Sequence, residues 1–259
     1  MGTQARIRAR EQRQAAAIAA AQRARNRTRL LAGIGGLVIV GLIVAIVLAV
    51  IHAAGRNGTP AAQASGGSAP LVVPSTATTG GAIVVGQPAA PVRLEVYLDF
   101  MCPYCGRFER ANGAELQRLV ANGTIRMEIH PLAFLDRSSN GSQYSTRAAN
   151  ALVTVADRAP DKVLAFTQAL YANQPDENTP GLTDDEIGKR ALDAGVPQAV
   201  VDTFGKLTFQ PWVAKFTDAA FKGGITGTPT VKINGTVFPG DVYTVGPLTQ
   251  AIMNAKGKQ

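Results

Sequence analysis

The two cysteines of this chain, Cys102 and Cys105, are separated by two residues and directly follow an alternating run of apolar and polar side chains at 92–100. Such an alternation predicts a β-strand. Pro103 suits the first turn of a helix, where its missing N–H costs nothing. A disulfide scaffold would distribute several bridges along the chain, and a structural zinc site needs four thiolate or imidazole ligands. A strand followed by a C-x-x-C that begins a helix therefore favours a redox-active thiol pair over a buried structural pair or a metal clip.

A long apolar segment near the N-terminus is the second constraint. Residues 30–51 carry no charged side chain, and at about 1.5 Å per residue a helix of this length spans roughly the 30 Å hydrocarbon core of a membrane. Residues 1–29 contain eight arginines and a single acidic residue, which predicts that this basic segment stays in the cytoplasm. We therefore expect a single-pass protein of the cell membrane whose C-terminal part lies outside the cytoplasm. A cleaved signal peptide is the alternative, but its apolar core would be shorter.

The net charge of +8 does not indicate a nucleic-acid-binding protein. Outside residues 1–29, 18 basic residues stand against 17 acidic ones, so the rest of the chain is close to neutral. No basic surface is left for a polyanion, and an arginine-rich segment beside a membrane helix is more typical of contact with anionic lipid headgroups. Nucleic acid is therefore not an expected partner.

The rest of the chain divides into a linker and one folded domain. Residues 52–81 are rich in Gly, Ala, Ser, Thr and Pro and contain no aromatic side chain, which predicts a flexible linker. The folded domain is expected at 82–259, a length that allows one sizeable core. Within it the helix that carries the C-x-x-C should end near residue 121, and a second strand is predicted at 124–130.

The second half of the domain is mostly helical. A helical insertion is predicted at about 142–223, and a hairpin with an Asn-Gly turn follows it. The predicted helices lie at 143–157, 162–172, 184–194, 198–205, 211–222 and, after the hairpin, 245–255, and the hairpin strands lie at 230–233 and 236–238. The order of elements predicts an α/β fold in which a block of helices interrupts the sheet.

Two motifs together resemble the DsbA family of thiol–disulfide oxidoreductases. They are residues 99–106 (DFMCPYCG) and residues 227–235 (GTPTVKING), with the helical block between them. The chain is most similar to the membrane-anchored forms of Gram-positive and actinobacterial type, over nearly all of residues 82–256. The resemblance implies a thioredoxin-like fold, an activity that uses the two cysteines, and no cofactor or bound metal.

The position of Cys102 at the start of a helix gives it a chemical role. Unpaired backbone N–H groups and the positive end of the helix dipole stabilise a thiolate there, so its pKa should fall below that of Cys105. We expect Cys102 to form the mixed disulfide with substrate and Cys105 to resolve it. Pro103 and Tyr104 should tune the redox properties of the pair. The best-known oxidants of the family that the chain resembles carry a histidine where this chain has Tyr104. The pKa of Cys102 should therefore be higher than the value of about 3.5 found in DsbA.

The second motif contributes Thr228 and Pro229. The resemblance implies that Pro229 follows a cis peptide bond opposite the C-x-x-C, and that Thr228 presents its backbone to an extended substrate peptide. An ordinary turn that leads into the next strand is the alternative interpretation.

One position departs from the family pattern. Members usually carry an acidic residue six positions before the first cysteine, where it relays the proton of the second thiol, and this chain has Val96 there. Glu95 and Asp99 should point to the other face of the strand and form helix-covered or solvated salt bridges. His130 is expected to be a core or edge histidine with its hydrogen bonds satisfied.

These observations together predict a membrane-anchored thiol–disulfide oxidoreductase that introduces disulfide bonds into reduced secreted or membrane proteins. Its own disulfide would be restored by a membrane reoxidase of the DsbB or VKOR type. A reductase or isomerase of the same fold and a non-catalytic chaperone with a thioredoxin-like fold are the alternatives.

Overall fold

The computed structural model describes residues 71–257. The predicted basic segment 1–29, the predicted membrane helix 30–51 and the linker up to residue 70 lie outside the described residues. Among the helices of 71–257, none has the length and apolar character needed to cross a membrane.

A five-stranded mixed sheet forms the centre of the domain. Its strands lie side by side in the order β1-β3-β2-β4-β5. Only β2 and β3 run parallel, and the other neighbours pair antiparallel. The strands are β1 (Ile83–Val85), β2 (Val92–Leu98), β3 (Ile125–Pro131), β4 (Thr230–Ile233) and β5 (Thr236–Val237). The sequence does not predict β1, because three residues are too few to show an alternation.

The helices follow the predicted order. A parallel pair of strands needs a crossover connection, and α1 supplies it between β2 and β3. Five helices, α2 to α6, lie between β3 and β4 and form the predicted helical insertion. The helices are α1 (Pro103–Ala121), α2 (Tyr144–Arg158), α3 (Val163–Ala172), α4 (Asp184–Asp193), α5 (Gln198–Val201), α6 (Gln210–Lys222) and α7 (Pro247–Lys256). The prediction of a thioredoxin-like α/β fold with a helical insertion is confirmed.

One predicted helix is shorter than expected. The segment 198–205 forms only the four residues of α5, followed by a 3-10 turn at Phe204–Lys206. The hydroxyl of Thr203 donates to the carbonyl of Val200 at 2.7 Å. Hydroxyl side chains that bond to nearby backbone compete with a continuing helix, and Leu207 then takes a left-handed conformation (φ 49°) that ends the segment.

Both faces of the sheet are covered by helices. All residues of β2 except Arg93 are buried, and all of β3 except Arg126. The alternation in the sequence therefore does not separate a buried from a solvated face. The polar residue Glu95 lies inside, 7% exposed, where Arg93 of the same strand pairs with it.

The last residues of the predicted linker already contact the domain. The backbone N–H of Ser75 donates to the side chain of Asp157 at 2.9 Å, and the hydroxyl of Thr76 donates to the carbonyl of Ala156 at 3.2 Å. Both acceptors lie near the C-terminal end of α2. These contacts begin upstream of Ala82, where the sequence predicts the start of the folded domain.

Candidate active site

Cys102 lies at the point where the central strand passes into the first helix. After β2 ends at Leu98, residues 99–102 form a turn, and Cys102 is the N-cap residue of α1. Its carbonyl accepts hydrogen bonds from the backbone N–H groups of Cys105 (3.0 Å) and Gly106 (3.2 Å), which start the helix. Pro103 occupies the first position of the helix, as expected from the sequence of the chain. Both cysteines are free thiols.

Contacts around its sulfur lower the pKa of Cys102 to about 6. The largest cause is a hydrogen bond from the Cys105 thiol, and burial opposes it. The side chain of Thr228 and the backbone N–H groups of Cys105 and Tyr104 stabilise the thiolate further. The carbonyl of Thr228, 3.2 Å from Sγ, accepts a hydrogen bond from the protonated thiol. A thiolate is therefore favoured at Cys102 near neutral pH.

The second thiol has the opposite environment. Cys105 is completely buried, and this burial raises its pKa well above the ordinary value. Its hydrogen bond to Cys102 and the charge of Cys102 raise the pKa further. The two sulfurs of the C-x-x-C thus differ strongly in acidity, and only Cys102 reaches the surface cleft described below.

The residues of the second motif lie directly beside Cys102. The peptide bond between Thr228 and Pro229 is cis, as the resemblance implies. β4 begins at the next residue, Thr230, and pairs with β2. This pairing brings the motif to within hydrogen-bonding distance of Cys102, although 126 residues separate the two in sequence.

Tyr104 lies on the surface beside the thiol pair, 53% exposed. Its ring is 5.9 Å from the ring of Tyr243. The guanidinium of Arg107 lies over both rings, 5.7 Å from the centroid of Tyr104 and 4.9 Å from that of Tyr243. Tyr104 therefore belongs to an aromatic and cationic patch at the edge of the site and contributes its backbone N–H to Cys102.

A cleft opens beside Cys102. It is lined by Thr228, by Phe134 and Leu135 after β3, and by Phe221 at the end of α6. Phe134 and Phe221 meet edge to face with their ring centroids 6.4 Å apart, and Phe221 is 63% exposed. The sequence does not predict this cleft, because its walls come from segments that are distant along the chain.

Asp99 does not form the predicted salt bridge. It is completely buried, and no cation pairs with it among residues 71–257. Its Oδ1 accepts from the backbone N–H of Met101 (2.8 Å) and the hydroxyl of Ser145 (2.7 Å), and its Oδ2 accepts from the backbone N–H of Leu135 (2.9 Å). Burial raises its pKa to about 7. Asp99 therefore joins the turn before Cys102 to the wall of the cleft and to α2.

Glu95 does form a salt bridge, within a buried cluster that also contains Glu128 and His130. Ligand atoms of these three residues lie within 4.8 Å of one another, a spacing that a metal ion could use. The carboxylates, however, are already paired, because Arg93 lies 3.2 Å from Glu95 and Arg126 lies 2.6 Å from Glu128. A divalent cation would have to displace these arginines, so the cluster fits ion pairing better than metal binding.

His130 is buried, as predicted, but its hydrogen bonds are not all satisfied. Its ring stacks on Tyr97 with centroids 4.0 Å apart, and its Nε2 has no hydrogen-bond partner among the described residues. Burial, followed by the charges of Lys232 and Arg93, lowers its pKa to about 4. It is therefore a neutral packing residue, away from Cys102.

Two further residues of the site come from the helical insertion. Tyr171, at the end of α3, and Gln174, just beyond it, both hydrogen bond to the turn that carries Cys102. About seventy residues separate them from that turn, and no local pattern in the sequence identifies them.

Known proteins with similar sequences and structures indicate the family of this chain. The family model described as "Thioredoxin" matches residues 78–251. The chain is 32% identical over 123 residues to the serine/threonine-protein kinase PknE of Mycobacterium tuberculosis, a match that covers 46% of this chain and 22% of the kinase. It thus spans about a fifth of that curated relative.

Two other proteins match over more of their own length. The disulfide bond formation protein D of Bacillus subtilis is 28% identical over 162 residues, which cover 61% of this chain and 69% of that protein. The solved structure of the reduced disulfide bond oxidoreductase DsbG from M. tuberculosis is 30% identical, with a TM-score of 0.59. That match covers 70% of this chain and 90% of DsbG.

Proposed function

This chain belongs to the thioredoxin family, among the thiol–disulfide oxidoreductases of DsbA type, and we propose that it introduces disulfide bonds into proteins outside the cytoplasm. The observation that carries the proposal is the difference between its two thiols. Cys102 is an acidic thiol at the N-cap of α1, beside the cis Thr228–Pro229 bond, and Cys105 is buried behind it with a raised pKa.

The proposed reaction begins with a disulfide between Cys102 and Cys105. A substrate thiolate attacks Sγ of Cys102, forms a mixed disulfide and displaces the thiolate of Cys105, which takes up a proton. A second substrate thiolate then attacks the substrate sulfur of the mixed disulfide and releases Cys102 as a thiolate. The substrate is oxidised by two electrons, and the enzyme's cysteine pair is reduced by the same two.

The pKa of Cys102 gives this reaction its direction. A thiol of low pKa is a good leaving group, and a stabilised thiolate makes the reduced enzyme more stable relative to its disulfide. With a pKa of about 6, Cys102 is released readily at neutral pH. This property favours an oxidase over a reductase, which would need a more stable disulfide.

The surroundings of Cys102 suit an unfolded protein chain as substrate. We assign substrate binding to Thr228 and Pro229, where a chain in extended conformation could approach Cys102 just before β4 begins. The cleft with Phe134 and Phe221 lies next to this position, and an apolar side chain of the substrate would bury its surface there. An unfolded chain exposes apolar side chains that folding would bury.

The N-terminal part of the sequence supports the proposed location. An uncleaved membrane helix at 30–51 would hold the catalytic domain at the outer surface of the cell membrane. There it could meet reduced proteins as they emerge, and a membrane reoxidase of DsbB or VKOR type would restore its disulfide. A tether of this kind raises the effective concentration of the enzyme near both partners.

Replacement of each cysteine by serine tests the proposal. Cys102→Ser should abolish oxidation of a reduced, unfolded protein, and Cys105→Ser should accumulate mixed disulfides through Cys102, seen as adducts that reductant removes. The wild-type reduction potential should lie well above about −270 mV, the value for thioredoxin. Full oxidase activity in Cys102→Ser would refute the enzymatic proposal, and a potential at or below that of thioredoxin would instead indicate a reductase.

A further inference from the structure

The helical insertion contacts the turn that carries the reactive thiol through two side chains. The hydroxyl of Tyr171 donates to the carbonyl of Asp99 at 3.2 Å. The Nε2 of Gln174 donates to two carbonyls, that of Phe100 at 3.1 Å and that of Cys102 at 2.8 Å. We refer to Tyr171 and Gln174 as the insertion clamp. It binds three of the four carbonyl groups in residues 99–102.

Gln174 bonds to a carbonyl that already has a structural task. The carbonyl of Cys102 accepts the first two hydrogen bonds of α1, from Cys105 and Gly106. The orientation of this carbonyl is therefore linked to the directions in which the first N–H groups of the helix point. Those N–H groups, of Tyr104 and Cys105, stabilise the Cys102 thiolate.

The same nitrogen of Gln174 also bonds to Phe100, on the other side of Met101. One amide group thus holds the end of the β2 segment and the start of α1 at a fixed separation. Hydrogen bonds that bridge two segments in this way restrict their relative motion, and the N-terminal N–H groups of a helix bind an anion only while they converge on it.

The packing around Gln174 is equally specific. Its Oε1 lies so close to Gly106 that a Cβ atom there would clash with it. Gly106 follows the second cysteine and lies in the first turn of α1, where any larger residue would meet the carboxamide. The absence of a side chain at this position lets Gln174 approach the helix closely enough to reach the Cys102 carbonyl.

We propose that Gln174 is a positioning residue of the redox site, which orients the first turn of α1 so that its N–H groups stabilise the Cys102 thiolate. The inference rests on the proposed function of Cys102 and adds that the helical insertion sets the reactivity of the dithiol. Gln174 itself hydrogen bonds to backbone carbonyls and to neither sulfur atom.

Replacement of Gln174 by alanine tests this role. The matched control is Gln168→Ala in the preceding helix α3, because the partly buried side chain of Gln168 has a single hydrogen bond among the described residues, to Gln117 at 3.4 Å. The measurements on the reduced proteins are the pH profile of Cys102 alkylation by iodoacetamide and the equilibrium with glutathione. In Gln174→Ala, the rate of Cys102 alkylation at pH values below the wild-type pKa of Cys102 should fall about 3- to 10-fold. The equilibrium constant with glutathione should shift by a similar factor towards a less oxidising protein. Gln168→Ala should match the wild type.

A double-variant cycle with Gly106 separates positioning from a loss of folding. In the wild-type background, Gly106→Ala should displace the carboxamide and reproduce the effect of Gln174→Ala. In the Gln174→Ala background only the end of the flexible Arg110 side chain, at 3.2 Å, comes close to the added methyl group, so Gly106→Ala should cause little further change. Circular dichroism and thermal unfolding of each variant verify that it is folded.

Two results would overturn the inference. One is a Gln174→Ala protein with the pH profile and glutathione equilibrium of the wild type. The other is a double variant in which the effects of Gln174→Ala and Gly106→Ala on these two measurements multiply, as they would for independent changes. A wild-type Cys102 with the acidity of an ordinary thiol is a different result, because it would overturn the proposed function itself.

Discussion

At the level of single residues, the two thiols of the C-x-x-C have opposite environments although they share one helical turn. Cys102 lies at the N-cap, where the thiol of Cys105 and backbone N–H groups donate to its sulfur. Cys105 lies one turn further in, within the core, where burial disfavours its charged form. The first thiol is therefore available to a substrate as a thiolate, and in the reduced protein the second stays protonated.

Asp99 should be essential for the turn that precedes Cys102. Both carboxylate oxygens of Asp99 accept hydrogen bonds, from Met101, Leu135 and Ser145. In Asp99→Asn an NH2 group replaces one of these oxygens, so at least one of the three donors loses its acceptor. We expect a loss of about 1–3 kcal/mol in the free energy of unfolding, the cost of a buried polar group left unpaired. Urea denaturation measures it. The control Ser145→Ala, which removes one donor, should cost less, and an equal or smaller loss in Asp99→Asn would contradict this account.

The same carboxyl group should affect the pH dependence of stability. Because burial raises its pKa to about 7, the folded protein binds the Asp99 proton more tightly than the unfolded chain does. Its contribution to stability is present at low pH and is lost as the pH rises from about 4 towards 7. The difference in stability between the wild type and Asp99→Asn should therefore be larger at pH 5 than at pH 8, and the reverse order would refute the assignment.

The contribution of His130 to stability should depend on pH in the opposite direction. Its pKa is lowered to about 4, so the unfolded chain binds its proton more tightly, and stability is lost as the pH falls from about 6.5 towards 4. His130→Phe keeps a ring to stack on Tyr97 and removes the titrating group. We expect it to resemble the wild type at pH 7 and to exceed its stability at pH 4.5 in denaturant titrations. Equal acid sensitivity of the two proteins would contradict the prediction.

The sequence identifies some of these residues and not others, for a physical reason. Cys102 and Cys105 are recognisable because a short spacing after a strand determines where both thiols lie. Thr228 and Pro229 are recognisable from a local motif. The hydrogen bonds of Asp99 and Gln174 depend on segments about 36 to 74 residues away, and local patterns contain no information about such contacts.

At the level of elements, a local signal in the sequence marks the start of one helix of the insertion, α4. Thr183 begins α4 with a capping box, in which its hydroxyl accepts from the backbone of Glu186 at 3.2 Å and the Glu186 carboxylate accepts from the backbone of Thr183 at 2.7 Å. The Asn234-Gly235 turn between β4 and β5 has the two positive φ angles, 50° and 88°, that such a turn requires. Burial of both faces of β2 is not predictable in the same way, because it depends on which helices cover them.

Removal of this cap should separate stability from activity. Thr183→Ala should lower the free energy of unfolding by about 1 kcal/mol, and Thr183→Ser should keep most of it. Because α4 does not contribute to the site around Cys102, the rate of substrate oxidation by the folded Thr183→Ala protein should not change. A fall in that rate below the unfolding transition would show that α4 acts on the site.

At the scale of the whole molecule, the proposed function depends on where the domain lies relative to the membrane. A C-x-x-C domain in an oxidising compartment can act as an oxidant, whereas the same domain in the cytoplasm would be kept reduced. The apolar segment 30–51 and the arginines of 1–29 predict the outer location, and these residues lie outside those that the structure describes.

A topology reporter tests this location in the chain of 259 residues. Alkaline phosphatase, which needs disulfide bonds, should be active when fused after Gln259, and a reporter that is active only in the cytoplasm should be inactive there. A charge-reversed variant, with the arginines of 1–29 replaced by glutamate, should lose this orientation. Cytoplasmic activity of the wild-type C-terminal fusion would contradict the predicted anchor.

The acidity of Cys102 in the reduced protein is the most direct test of the proposed mechanism. Thiolate absorbance near 240 nm, recorded against pH for the wild type and for Cys105→Ser, measures it, with Cys102→Ser as the blank. The environment of Cys102 predicts a transition near pH 6 that is absent from Cys102→Ser, with no ionisation of Cys105 in the neutral range. A wild-type transition near pH 8.5, the value of an ordinary cysteine, would contradict the account.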